Sequence, residues 1–173
     1  MRQVIKNKGD LLSLFQNSKE IAIDSETYGL EWDDKAFSYI LCDGTNTAYI
    51  NFNPNSDLSP RECLEDLKTL ASDHKVLWIL ANAKFDLRRL DIDGIGITGK
   101  IWDCLNMERL VRNDYMKYSL DACLQRRGME KDATVDTYIK KNKLYTTKLV
   151  PGKLKRTKFK HYDKVPFSIM FVY

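Results

Sequence analysis

The chain has 173 residues, 43% of them hydrophobic and 30% charged, with a net charge of +4. That is enough for a single domain, 1–173, whose core needs no covalent staples. Its longest apolar runs, such as Val76-Leu77-Trp78-Ile79-Leu80, are far too short for a membrane span, and the first residues lack the apolar stretch of a secretory signal. Four isolated cysteines without a CxxC pair, and only two histidines, argue against a zinc site or a disulfide framework. A cytoplasmic protein with no membrane partner is therefore expected.

Asp10 can cap a short helix, Leu11 to Gln16, ahead of the β-branched run Ile21-Ala22-Ile23-Asp24. Ala36 to Cys42 and Thr47 to Phe52 read as two further strands, with hairpin chemistry in Asp43-Gly44-Thr45-Asn46 between them. Three such runs in series predict an antiparallel meander. The pattern then changes. Pro60 opens a stretch with Leu64, Leu67, Leu70 and Ala71 at helical spacing. Val76 to Leu80 has the continuous apolar character of a central strand covered on both faces. A helix follows from Lys84 to Leu90, and Gly94 and Gly96 end it. Lys100 to Asp103 reads as a strand, and helices are expected over Leu105–Arg112, Ser119–Arg126 and Val135–Lys141.

From Ile139 to Lys164 there are ten Lys/Arg residues against one acid, Asp163, which leaves the rest of the chain net acidic. Residues 142–164 show no clear period and are expected to form a basic, irregular insertion. Two readings apply: a solvated loop, or an arm that guides a polyanion, with Tyr145, Phe159 and Tyr162 interleaved for stacking. Pro166 sits well as the first residue of a last helix, Phe167 to Tyr173. A meander followed by β-α-β units around one sheet is an α/β fold with a mixed sheet.

Asp24 and Glu26 stand two residues apart at the end of a strand, a spacing that puts both carboxylates on one face. Like charges so close repel unless a cation lies between them, although solvated strand ends also carry such pairs. Asp86 follows the predicted central strand, in Asn82-Ala83-Lys84-Phe85-Asp86, where ligands of open α/β sheets gather. It reads equally as a cap of the following helix. Three oxygen donors with no nearby histidine or thiolate suit Mg²⁺ or Mn²⁺.

These residues resemble the motifs of a known superfamily. Asp24-Ser25-Glu26-Thr27-Tyr28-Gly29-Leu30 is similar to DxETxGL, the first motif of the DEDD exonucleases, and Asn82 to Asp86 resembles the second. Trp102-Asp103-Cys104-Leu105 with Tyr118-Ser119-Leu120-Asp121-Ala122 resembles a segment of the proofreading 3′→5′ exonuclease domains of family-A DNA polymerases. The resemblance covers about Ile21 to Cys123. It implies a ribonuclease H-like α/β fold, a mixed sheet flanked by helices, and hydrolysis at DNA 3′ ends with two divalent ions, Mg²⁺ or Mn²⁺. Asp24, Glu26 and Asp86 would be metal ligands, and Thr27, Leu30, Asn82 and Phe85 would contact the terminal nucleotides. For Leu30 and Phe85 core packing is the alternative, and for Asn82 a turn role. The third motif, YxxxD, places Tyr173 as the residue that orients water, against a plain core-facing aromatic. Its aspartate would fall beyond Tyr173, so this form is expected to be C-terminally incomplete and impaired. The implied partners are single-stranded DNA or frayed 3′ ends and a polymerase domain of a parent protein. The lysine-rich, divergent motifs are compatible with a bacterial virus acting in its host's cytoplasm. A ribonuclease D-like RNA exonuclease and a non-catalytic nucleic-acid-binding module of the same fold stand as alternatives.

Overall fold

The structure is a computed structural model, and it describes residues 2–53, 58–149 and 156–170. The meander forms as the short apolar runs and the turn between them predict. β2 (Glu20–Thr27), β3 (Ala36–Cys42) and β4 (Thr47–Asn51) pair antiparallel in sequence, and Asp43 closes the β3–β4 turn by accepting from the Thr45 and Asn46 amides. β5 (Leu77–Leu80) and β6 (Lys100–Asp103) then add in parallel beyond β2. The short β1 (Arg2–Val4), not anticipated from the sequence, pairs parallel with β4. The six-stranded order is β1-β4-β3-β2-β5-β6. The expected mixed α/β sheet is therefore observed, with β3 and β2 at its middle; β5, expected as a central strand, lies between β2 and the edge strand β6.

Helices α1 (Asp10–Phe15) and α2 (Cys63–Ala71) close on the sheet and bury Leu11, Phe15, Leu67 and Leu70. Together with Tyr39, Leu41, Ile50 and Trp78 they form the main core. Asp66 joins the two helices where the hydrophobic pattern does not reach: its buried carboxylate accepts from the Gly9 amide at 2.6 Å, where the chain turns with φ +92°. α3 (Ala83–Ile92) follows β5 directly. α4 (Cys104–Val111), α5 (Leu120–Arg126) and α6 (Thr134–Lys141) follow β6. Among the described residues no helix is long and apolar enough to cross a membrane.

The basic stretch 142–164 is not irregular throughout. β7 (Tyr145–Lys148) and β8 (Thr157–Lys160) pair as a two-stranded antiparallel ribbon. The segment reads as irregular because each strand has only four residues and takes its partner from across an intervening stretch, so the pairing leaves no local period. Cation–π contacts reinforce the ribbon, with Lys158 4.6 Å from the Tyr145 ring and Lys148 5.9 Å from Phe159. Lys160 anchors it to α6 through Asp136 at 2.6 Å. Beyond it, α7 (Phe167–Met170) packs with Val135, Ile139 and Val165 in a second small core. Asn53 Nδ2 donates to the Asp163 carbonyl at 2.6 Å, and the Tyr49 and Phe167 rings meet edge to face at 6.0 Å. These contacts hold the C-terminal segment to the sheet. The remainder of the helix expected to reach Tyr173 lies outside the described residues.

Candidate active site

Pairing between β2 and β5 ends at Ala22 with Ile79, so the last residues of β2 run on without a neighbour on that side. The Ser25 amide, freed from the ladder, donates instead to Asp86 Oδ1 at 3.0 Å, and the Ser25 hydroxyl donates to the same oxygen at 2.6 Å. Asp86 lies in the first turn of α3 and is 2% exposed. It is not the cap of that helix. The Asn82 and Ala83 amides are satisfied by Asp103 Oδ1 and Oδ2, at 3.2 and 3.0 Å. Asp103, at the end of β6, also caps α4 through the Leu105 and Asn106 amides. One carboxylate thus ties two helix starts together, and Asp86 is left to face β2.

Asp24 and Glu26 open on the same cleft, which has a volume of about 590 Å³, and Asp86 lies beside them. Glu26 is pushed up to about 8, by burial first and then by the charge of Asp24, with Lys131 opposing and Asp86 adding. Burial likewise lifts Asp86 to about 7; the Ser25 hydrogen bond opposes this and Asp24 adds to it. Asp24 is also raised, by burial first, with Lys131 opposing. It keeps solvent contact on the cleft side, so its shift comes from the protein packed on its other sides.

Three coupled carboxylates that resist ionisation together have the chemistry of a hard-cation site: oxygen donors and surplus negative charge. They fit a divalent ion in donor type. Among the described residues no three such side chains already stand in metal-holding geometry, and Asp86 Oδ1 is committed to Ser25.

After Glu26 the β2–β3 register shifts, and the chain leaves the sheet. Thr27 donates from Oγ1 to the Gly29 carbonyl at 2.6 Å, and Asp34 accepts from the Glu31 amide at 2.6 Å. A Cβ on Gly29 would come within 2.2 Å of Asp34 Oδ2, so any side chain there would push Asp34 off its bond to the Glu31 amide. Thr27, Leu30 and Phe85 all line the cleft. Leu30 is 70% exposed, which removes core packing as its role; Phe85 is half-buried under the Arg89 guanidinium, 4.5 Å from its ring centroid. Asn82 does not line this cleft. It follows β5 with φ 68°, and its exposed side chain borders an adjoining hollow. Tyr173 lies outside the described residues.

The ribbon completes the enclosure. Lys148, Lys158, Lys160, Phe159, His161 and Tyr162 line the same cleft as the carboxylates, and Lys131 joins them from the turn before α6. The described part of the basic stretch, the β7–β8 ribbon with His161 and Tyr162, is thus a wall of the cleft. The sequence carries no signal that would have placed Lys131 or His161 here, since neither belongs to a motif and both lie remote along the chain from Asp24.

A family model described as 3′-5′ exonuclease, from family-A DNA polymerases, matches residues 5–141. The chain is 29% identical over 136 residues to DNA polymerase DpoZ of Salmonella phage PMBT28, a match over 75% of this chain. It spans only 20% of the length of that polymerase. Among solved structures, Brucella melitensis NrnC with bound Mg²⁺ superposes with a TM-score of 0.61 at 19% identity, over 77% of this chain and 65% of that one. Trypanosoma brucei RNase D in complex with RNA U12 gives 0.63 at 16% identity, over 79% and 50%. At these identities the two structures establish a shared fold.

Proposed function

The chain belongs to the 3′-5′ exonuclease family of family-A DNA polymerases, and from that membership we propose that it removes nucleotides from DNA 3′ ends by metal-dependent phosphodiester hydrolysis. The observation that carries this reading is the coupling of Glu26 and Asp86 beside Asp24. Burial first, and then the negative charge of Asp24, favours the protonated form of both near neutrality.

In this reading Asp24, Glu26 and Asp86 would hold two ions, Mg²⁺ or Mn²⁺. When bound, these supply Lewis acidity that makes water nucleophilic and stabilises the leaving 3′ oxygen. Ser25 fixes Asp86 through its hydroxyl and amide. Thr27, Leu30 and Phe85 contact the terminal nucleotide, with exposed Leu30 set against its base, and Asn82 contacts the adjoining sugar-phosphate. Tyr173 orients the attacking water. The lysines of β7 and β8 draw the strand into the cleft, and Phe159 and Tyr162 offer stacking surfaces. Single-stranded or frayed DNA is the substrate, and within a longer polymerase the same site would serve proofreading.

The test is degradation of 5′-labelled single-stranded DNA with Mg²⁺ or Mn²⁺, alongside Asp24→Ala and a matched RNA. A ladder shortening from the 3′ end and lost in the variant supports the reading. The variant should lose more than the roughly 10- to 100-fold that follows from disturbing a ligand's supporting contacts. Equal rates for chain and variant would place the activity elsewhere, and faster loss of RNA would reassign the substrate.

A further inference from the structure

The carboxylate cleft does not end at Leu30. Leu30 and Phe85 also line a second hollow of about 240 Å³, whose other walls include Trp32, Lys84 and Arg88. The two spaces therefore share a ridge. Trp32 is 63% exposed, an unusual state for the largest apolar side chain. It is nevertheless held: the Arg88 guanidinium lies 4.7 Å from its ring centroid, and Arg88 is in turn fixed to Asp91 at 2.6 Å.

The backbone beneath Trp32 is fixed as well. Arg89 is 2% exposed and donates to the carbonyls of Glu31 at 2.7 Å, Trp32 at 3.1 Å and Asp34 at 2.6 Å. A charged group committed to three carbonyls of one loop ties that loop to α3 strongly. An exposed indole on a fixed backbone, with a guanidinium against its ring and an exposed lysine nearby, is a pre-organised stacking platform in cationic surroundings.

We propose that Trp32, Lys84 and Arg88 form a second subsite, which stacks the base of the nucleotide next upstream of the one in the carboxylate cleft and attracts its phosphate. The assignment rests on the nuclease reading above. It follows from the continuity of the two spaces across Leu30 and Phe85 and from the match of cationic walls to a polyanion. The occupant is single-stranded DNA, entering the cleft over Leu30.

The experiment is equilibrium binding of oligothymidylate and of the mononucleotide dTMP to the full chain in EDTA, for wild type, Trp32→Ala and Trp32→Phe. Trp32→Ala should weaken oligothymidylate binding roughly 5- to 100-fold. It should leave dTMP, which reaches only the first cleft, within about twofold, and Trp32→Phe should recover most of the loss because it keeps a ring. Quenching of indole fluorescence by oligothymidylate should disappear in Trp32→Phe and persist in Trp102→Phe. Unchanged oligothymidylate binding by Trp32→Ala, or an equal loss for both probes, overturns the subsite and leaves the nuclease reading standing. Failure of the wild type to bind oligothymidylate also overturns the subsite, while the nuclease reading answers to the metal-dependent degradation assay above.

Discussion

Asn82 sits at φ 68°, ψ 56°, a left-handed conformation that asparagine tolerates better than other residues with a Cβ. It makes no side-chain cap bond to α3, because Asp103 already satisfies the first amides. The backbone and side-chain roles are therefore separable. Asn82→Gly should keep the turn and the stability, whereas Asn82→Ala should cost about 1 kcal/mol by urea denaturation. Both should raise KM for single-stranded DNA to the same extent. A glycine variant with wild-type KM would restrict Asn82 to the turn. Ser25 shows a comparable economy: its hydroxyl and amide converge on one Asp86 oxygen, so the residue between the two motif acids orients the third.

At the scale of elements, β2 and α3 carry the acids, and the β7–β8 ribbon supplies the opposing charge. β2 can present Asp24 and Glu26 because its parallel neighbour stops short, leaving the strand end open to α3. The ribbon's lysines differ in their ties. Lys148, Lys158 and Lys160 all lie against aromatic rings and line the cleft, but Lys160 is also ion-paired with Asp136. Replacing Lys148 and Lys158 with alanine should leave the ribbon anchored and weaken DNA binding at low salt. Each single-strand phosphate that a lysine neutralises adds about 0.7 to the steepness of log K against log salt, so the double variant should be shallower by roughly 1.4. A titration with an unchanged slope would mean that the ribbon does not touch the strand.

For the whole molecule, the acidic centre makes stability depend on pH. Glu26 and Asp86 hold protons up to about 8 and about 7 in the folded protein, against the ordinary carboxylate value of roughly 4 in the unfolded chain. Between those values the folded state binds more protons than the unfolded one, so stability falls as pH rises. Their favourable contribution is complete below about pH 4 and is lost as pH passes through 7 to 8. Without metal, the melting temperature should therefore drop from about pH 5 to about pH 8.5, and the double variant Glu26→Gln, Asp86→Asn should flatten that drop. Mg²⁺ or Mn²⁺ should raise the melting temperature at about pH 8 far more than at about pH 5, since cations compete with protons for the same oxygens. Thermal melts across this range, with and without metal, check both; a stabilisation by metal that ignores pH would separate the ions from these carboxylates.

Local pattern determined much of this protein. The apolar run over Ala36–Cys42 and helical spacing from Leu64 to Ala71 wrote out strand and helix. The two motifs singled out Asp24, Glu26 and Asp86 as candidates from the order of residues alone, because a strand end and the start of the helix after a strand are local features. Tertiary structure decided the rest, wherever the partner is distant in the chain. β1 is three residues long and is defined only by β4; β7 and β8 are defined only by each other. Arg89 reads as one more charge on a helix until the carbonyls of Glu31, Trp32 and Asp34 arrive beside it. The lysines became a wall of the acidic cleft because Asn53 and Tyr49 hold the C-terminal segment on the sheet. Sequence periodicity reports which face of an element is apolar, but it carries no information about what another segment, far along the chain, brings to that face.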